Sequence, residues 1–178
     1  LKDIFSDFSL LPSLPGELAL RDYQKTAVND WLEAKGRGTF AMATGTGKTI
    51  TALSAATQAA LHVARQDKPL LVLVIVPLID LVVQWASDAE WFGFRPAICH
   101  GQLTSGQKNH LKSAFSAART TLGRRAEMII TTAGSLTPVG TTSSSEHFLQ
   151  RQLQRHKGPI LVIGDEMHSL GTSTRINS

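Results

Sequence analysis

Short runs of consecutive apolar residues recur along this chain, and they constrain its fold more than any other feature. The clearest run, at residues 70–76, reads LLVLVIV. The other apolar runs occupy residues 39–43, 96–100, 128–132 and 160–164. Such runs are typical of strands that are buried on both faces of a parallel sheet.

The segments between these runs carry apolar residues at helical spacing. We expect helices over residues 21–34, 48–64, 78–92, 105–122 and 146–156. The alternation of strand and helix predicts an α/β fold, with a mostly parallel sheet and helices on both faces. In such folds, ligands bind at the carboxyl ends of the strands.

The length and composition favour one domain with one sizeable core, since 178 residues are 42% hydrophobic. We expect an irregular lead-in over residues 1–19, which contain Pro12, Pro15 and Gly16, and the domain proper over residues 20–178. The polar segment 141–145 (TTSSS) is expected to be a mobile loop.

Cysteine usage and hydropathy bear on the setting of the protein. The single cysteine, Cys99, excludes an internal disulfide, and we interpret it as a buried small hydrophobe in a reducing, cytoplasmic setting. The longest apolar run, residues 69–78, is too short to span a bilayer. The formal net charge of +4 tolerates a polyanionic partner but does not identify one.

A glycine-rich turn lies where a predicted strand ends and a predicted helix begins, and residues 43–49 read ATGTGKT. Gly45 and Gly47 would let backbone N–H groups close around phosphate oxygens at the start of the helix. Lys48 would reach the β- and γ-phosphates, and the Thr49 hydroxyl would bind Mg²⁺. The candidate nucleotide-binding residues here are Thr44, Gly45, Thr46, Gly47, Lys48 and Thr49. Met42 stands where the full phosphate-loop pattern has its first glycine.

An acidic pair, Asp165 and Glu166, directly follows the last apolar run. Asp165 would hold Mg²⁺, directly or through water, and Glu166 would orient and deprotonate an attacking water. A solvated acidic pair at a strand end is the simpler interpretation of these two residues alone. Together with the Lys48 turn, they predict nucleotide hydrolysis.

With these motifs, residues 18–174 resemble the DExH-type helicases and translocases of superfamily 2, which include the helicase subunits of restriction systems, UvrB and XPB. The resemblance rests further on residues 20–24 (LRDYQ), 76–85 (VPLIDLVVQW) and 165–171 (DEMHSLG). It implies a P-loop fold of the RecA type, the first of two RecA-like domains. It also implies ATP and Mg²⁺ as cofactors and a nucleic-acid partner, with DNA favoured over RNA.

The resemblance also implies roles for single residues. Gln24 would read the adenine edge with support from Arg21, and His168 would couple the ATP site to the partner domain as a further catalytic residue. The positions that match nucleic-acid-contacting motifs are Pro77, Leu78, Gly101, Thr131, Thr132 and Ser135. Because Leu78 and Ile79 are apolar, backbone N–H groups would make the phosphate contacts there, and Leu81, Val82 and Trp85 are expected in the core. For Thr131, Thr132 and Ser135, ordinary loop capping explains the residue types equally well.

By the same resemblance, we expect the second RecA-like domain and a Ser-Ala-Thr motif to lie beyond this chain, which would then hydrolyse ATP slowly or not at all by itself. Two other functions stay open: a P-loop NTPase that acts on something other than nucleic acid, and a catalytically silent nucleic-acid-binding module. The basic residues Lys108, Lys112, Arg119, Arg124 and Arg125 are interpreted as a solvated face, with a DNA-facing patch as the alternative.

Overall fold

The computed structural model describes residues 11–119, 124–136 and 144–166. Its helices are α1 (Asp22–Glu33), α2 (Lys48–Ala64), α3 (Ile79–Trp91), α4 (Ser105–Ala117) and α5 (Ser144–Arg155). Its strands are β1 (Leu70–Val76), β2 (Pro96–Cys99), β3 (Ala126–Thr132) and β4 (Ile160–Gly164), and a 3-10 turn (Ala133–Ser135) follows β3. No helix in these ranges is both long enough and apolar enough to cross a membrane.

The four described strands form one parallel sheet in the order β2-β3-β1-β4. The central strand β1 pairs on one side with β3, where Leu71 lies opposite Glu127, and on the other side with β4, where Leu71 lies opposite Ile160. The carboxyl ends of all four strands therefore meet at one edge of the sheet, and their starts meet at the opposite edge.

Helices cover both faces of the sheet. Successive β1 side chains point to opposite faces, so each face presents apolar residues for helices to pack against. Val72, Val74 and Val76 pack with α2 and α3 into one apolar cluster, which includes Leu53, Trp85 and Phe92. Leu71, Leu73 and Ile75 pack with α4 and α5 into a second cluster, which includes Leu111, Phe115 and Leu149. The predicted α/β fold, with its parallel sheet and two covered faces, is confirmed.

The predicted strand at residues 39–43 was wrong, because that segment forms no strand in the structure. Its backbone bonds locally instead, with the Met42 N–H donating to the Phe40 carbonyl at 2.9 Å. The segment faces β4 across a cleft, and no described strand lies beside it. In the described sheet β4 is consequently an edge strand, and Ile160 and Val162 are exposed along it.

Smaller differences concern element ends. The helix α4 stops at Ala117 and β3 begins at Ala126, earlier than the apolar run suggested. Ser144 and Ser145 belong to α5 rather than to a loop, and residues 141–143 lie outside the described ranges. Residues 11–19 form an irregular segment, as expected, whose Ser13 N–H donates to the Phe92 carbonyl at the end of α3.

Candidate nucleotide-binding site

The turn between residue 43 and α2 requires glycine at two positions. Gly45 and Gly47 adopt positive φ angles of 79° and 83°, a left-handed conformation that L side chains rarely adopt. A Cβ at Gly47 would also lie 2.7 Å from Nε2 of Gln24, whereas one at Gly45 would meet open space. The backbone path thus explains Gly45, and both the path and a close neighbour explain Gly47.

The first helix holds this turn from one side. The Tyr23 hydroxyl donates to the Thr46 carbonyl at 2.7 Å, and Nε2 of Gln24 donates to the Gly47 carbonyl at 3.3 Å. The other end of the Gln24 amide is engaged too, because its Oε1 accepts from the Arg21 N–H at 3.0 Å. Gln24 is buried, so its amide fixes the turn to α1.

These bonds orient the peptide units of the turn. In a trans peptide, the N–H points opposite to the C=O of the same unit. Because the Thr46 and Gly47 carbonyls face α1, the N–H groups of Gly47 and Lys48 face away from it. The helix α2 begins at Lys48 without a side-chain cap, so its first N–H groups and the positive end of its dipole are available to an anion.

The acidic pair lies at the end of β4, where the sheet positions it. The Asp165 N–H continues the ladder by donating to the Ile75 carbonyl at 2.9 Å. Its carboxylate accepts from the indole Nε1 of Trp85 at 2.8 Å, a contact between α3 and the end of β4. Glu166 is exposed and has a positive φ of 48°, an unfavourable conformation of the kind that clusters at functional sites.

One cleft joins the two halves of the site. Lys48, Asp165 and Glu166 line the same cavity of about 620 Å³, between residues 38–42 on one wall and β4 on the other. This volume falls within the range of small-molecule sites. The ammonium group and the two carboxylates therefore line one space whose volume would accommodate a nucleotide.

The predicted nucleic-acid contacts occupy the same edge of the sheet but differ in exposure. Pro77 and Leu78 follow β1, and Leu78 is exposed at the start of α3. Gly101 follows β2 with a positive φ of 58°. Leu78 and Gly101 are thus exposed at the carboxyl edge, and Pro77 is half-buried there.

The hydroxyl groups at the end of β3 and in the turn that follows it are already used inside the protein. Thr131 is buried and donates to the Cys99 carbonyl at 2.7 Å, while the hydroxyls of Thr132 and Ser135 bond to each other at 3.0 Å. Neither predicted route, hydroxyl or backbone, is exposed here, because all three residues are buried and Thr131 and Thr132 pair with β1 within the sheet.

Other expectations have clear outcomes. Val82 and Trp85 are buried and Leu81 packs against the same cluster, as predicted, but the indole hydrogen bond of Trp85 to Asp165 carried no sequence signal.

Tyr23 was also missed as a partner of the turn, although it lies beside Gln24 in the LRDYQ segment. Cys99 is buried as expected, and burial raises the pKa of its thiol to about 11. His168 lies outside the described residues.

Comparison with known proteins places this fold and cleft in a family. A family model described as "Type III restriction enzyme, res subunit" matches residues 17–178. The chain belongs to the family of type III restriction enzyme res subunits. The match confirms the resemblance to superfamily 2 helicases and the interpretation of the chain as a first RecA-like domain.

Two relatives of this family member are informative. Over 106 residues, the chain is 36% identical to the DNA 3'-5' translocase XPB2 of Sulfurisphaera tokodaii, covering 56% of this chain and 22% of that protein. A solved structure, a nuclease-deletion mutant of the Type ISP restriction-modification enzyme LlaGI in complex with a DNA substrate mimic, matches with a TM-score of 0.56 and 22% identity. That match covers 85% of this chain and 15% of the larger one, and it supports the fold. The chain spans less than a quarter of either relative.

Proposed function

We propose that this chain is the ATP-binding half of a motor that couples ATP hydrolysis to movement along DNA. The observation that carries the proposal is the shared cleft of Lys48, Asp165 and Glu166 at the carboxyl edge of the sheet. Membership in the res-subunit family supports ATP use by a helicase-type domain. The DNA part of the proposal draws on the two relatives, one named as a DNA translocase and one solved with a DNA mimic.

The turn and α2 would hold the phosphates of ATP. The outward N–H groups of Gly47 and Lys48 and the uncapped start of α2 supply donors, and the Lys48 ammonium supplies charge. Thr44, Gly45 and Thr46 complete the loop around the β-phosphate. Lys25 lies on α1 with its ammonium paired to Asp22, outside this arrangement.

The oxygen ligands present fit a magnesium ion. In the described ranges, no three His, Cys, Asp or Glu side chains come together, so most ligands of the ion would be phosphate oxygens and water. Thr49 and Asp165 would hold it, and the bound ion would neutralise charge on the phosphates. Trp85 keeps the Asp165 carboxylate in place, and Glu166 would orient the attacking water and accept its proton.

The remaining site residues are proposed from their positions. Arg21 would recognise adenine, and Gln24, whose buried amide is bonded at both ends, would support that site by holding the turn. His168 would transmit the state of the ATP site. DNA phosphates would meet backbone N–H groups at the start of α3, near Pro77 and Leu78, and would pass the exposed turn at Gly101. Thr131, Thr132 and Ser135 are buried, so they would shape this edge of the sheet rather than contact phosphate. A second RecA-like domain in the parent protein would supply an arginine, worth about 10³ to 10⁵ in rate in related systems.

The test of the nucleotide site is a titration with a fluorescent ATP analogue in the presence of Mg²⁺. The Lys48→Ala change is expected to abolish binding, because it removes the charge that faces the phosphates. The matched control, Lys25→Ala, removes an exposed ammonium on α1 and is expected to bind as the unchanged chain does. Undiminished binding by Lys48→Ala would place the nucleotide elsewhere.

A gel-shift assay at low salt separates the motor from a P-loop NTPase that acts on another kind of partner. A duplex DNA that shifts the chain supports the motor, since phosphate contacts are strongest at low ionic strength. Nucleotide binding without any shift by DNA or RNA would favour the alternative. In the parent enzyme, Glu166→Gln should keep ATP binding and lose turnover, which separates an enzyme from a silent binding module.

A further inference from the structure

A second cleft lies at the opposite edge of the sheet, where the strands begin. Its volume is about 720 Å³, and four of its lining residues are basic: Lys68, Arg119, Arg155 and Lys157. The other described lining residues are small or prolines, and none of the described lining residues is a carboxylate. We call it the basic cleft.

The fold itself gathers these charges. A basic residue precedes every described strand: Lys68 precedes β1, Arg95 precedes β2, Arg124 and Arg125 precede β3, and Lys157 precedes β4. Because the strands are parallel, all of their starts meet at one edge. Residues that are scattered over the sequence thus become neighbours, which a mild net charge of +4 does not reveal.

The acidic residues near this edge neutralise other cations. Asp67 pairs with Arg124 at 2.9 Å. Glu127, the second residue of β3, is half-buried, and burial raises the pKa of its carboxyl above the ordinary value. The nearby charges of Arg125 and Arg95 oppose that rise. Within the described ranges, no carboxylate lies at salt-bridge distance from Lys68, Arg155 or Lys157, and all three side chains are exposed.

One cation of the basic cleft is held in place. The Arg119 guanidinium donates to both the carbonyl and the side-chain oxygen of Gln152 at 2.9 Å, and it lies 5.6 Å from the centre of the Phe115 ring. A fixed guanidinium loses little entropy when it binds an anion, and its planar fork matches phosphate geometry. The cleft therefore combines a positioned arginine with three exposed cations that have no carboxylate partner in the described ranges.

We propose that the basic cleft binds the phosphate backbone of duplex DNA and holds it independently of the nucleotide state. The inference rests on the proposed motor function for its choice of polyanion. The seven residues of β1 separate the two edges by about 23 Å at 3.3 Å per residue, so ATP bound at the carboxyl edge does not touch this cleft. A contact of this kind adds affinity without reading sequence.

The lining of the cleft favours duplex DNA over other anions. Single strands are usually held by stacking on aromatic rings, and none lines the cleft. Acidic protein partners usually add a large apolar or aromatic anchor, which Pro69, Ala118 and Pro159 do not provide. Phosphates need only well-placed cations.

The test compares two triple variants of the full chain by fluorescence anisotropy with a labelled duplex, over a range of salt concentrations and without nucleotide. The cleft variant carries Lys68→Gln, Arg155→Gln and Lys157→Gln. The control variant carries Lys25→Gln, Lys108→Gln and Lys112→Gln, which remove the same formal charge from residues outside both clefts. Arg119 is left unchanged because it also bonds to α5.

The cleft variant should bind DNA at least about tenfold more weakly at about 50 mM salt, and its log–log salt slope should fall by about one unit for each lost phosphate contact. The control should keep most of its affinity and slope. Equal losses in both variants would overturn the proposal, since they would reflect net charge alone. Preferential binding of labelled polyglutamate over DNA, lost in the cleft variant, would overturn it in favour of an acidic protein partner.

A nucleotide titration of the same samples separates this proposal from the motor function. The cleft variant should bind the fluorescent ATP analogue normally, because its substitutions lie at the far edge of the sheet. Failure of nucleotide binding in the unchanged chain would refute the motor function alone. Normal DNA binding by the cleft variant would refute the basic cleft alone.

Discussion

Two segments at the carboxyl edge of the sheet have similar composition, but one directs polar groups outward and the other buries them. The phosphate turn (residues 43–49) and the segment at the end of β3 (residues 131–136) are both rich in Gly, Thr and Ser, and both were predicted to contact phosphates. In the turn, α1 binds the carbonyls of Thr46 and Gly47, which leaves N–H groups outward. At the end of β3, the hydroxyls of Thr131, Thr132 and Ser135 are buried in bonds to the protein.

Residue type alone therefore does not make an anion site. The deciding factor is which polar groups the surrounding structure has already satisfied, because a buried, bonded hydroxyl offers nothing to a ligand.

Gly47→Ala should be the most damaging change in the turn. It forces an alanine into a left-handed conformation and places its Cβ 2.7 Å from the Gln24 amide. We expect a loss of about 2 to 4 kcal/mol in the free energy of unfolding, with strongly weakened binding of the ATP analogue. Urea denaturation and nucleotide titration measure both, and Gly16→Ala, which meets open space, serves as the control. Normal nucleotide binding by Gly47→Ala would show that the turn tolerates a different path.

Cys99, whose carbonyl accepts the buried hydrogen bond from Thr131, should make the stability of the chain depend on pH. Burial raises the pKa of the Cys99 thiol from 9.0 to about 11, so the folded state favours the neutral thiol. The resulting stability, on the order of 2 kcal/mol, is complete below pH 9 and is lost as the pH rises towards 11. Urea denaturation across this range should show a steeper fall for the unchanged chain than for Cys99→Ala. Parallel curves would mean that water reaches the thiol.

Trp85→Phe should weaken the acidic half of the nucleotide site while keeping most of the packing. It removes the indole donor to Asp165, and we expect a loss of about 1.5 kcal/mol in stability together with weaker Mg²⁺-dependent nucleotide binding. Trp91→Phe, at a half-exposed position, is the control. If nucleotide affinity depends on Mg²⁺ equally in both variants, the indole does not position the carboxylate for the metal.

Thr131→Val should separate the two segments most directly. The change leaves the buried Cys99 carbonyl without this hydroxyl partner, which is expected to cost about 1 kcal/mol of stability. DNA affinity should stay unchanged, because the hydroxyl faces the interior. A DNA affinity that falls while stability holds would return Thr131 to the set of direct phosphate ligands.

Much of the fold followed from the sequence because each signal was local. The apolar runs at β1 and β4 and the helical spacing of α2 and α3 fixed these elements to within a residue or two. The positions of the phosphate turn and the acidic pair could also be predicted from the sequence, since their chemistry needs particular residue types beside particular elements.

What the sequence could not predict depends on partners that are distant in the chain. The segment 39–43 has the composition of a strand, but a strand needs a neighbour, and none of the described strands lies beside it. The bond between Trp85 and Asp165 joins residues 80 positions apart. The basic cleft likewise exists only because parallel strands bring their starts together.

The outer flank of β4, the edge strand of the described sheet, could pair with a second copy of the chain, so protein concentration matters in solution experiments. Its sequence, ILVIG, contains neither charge nor proline, and Ile160 and Val162 are 45% and 53% exposed. Natural proteins guard such flanks because a row of open backbone groups templates association with another copy. We therefore expect pairing between copies along this flank to increase with concentration, and dilute samples are the better choice for binding measurements.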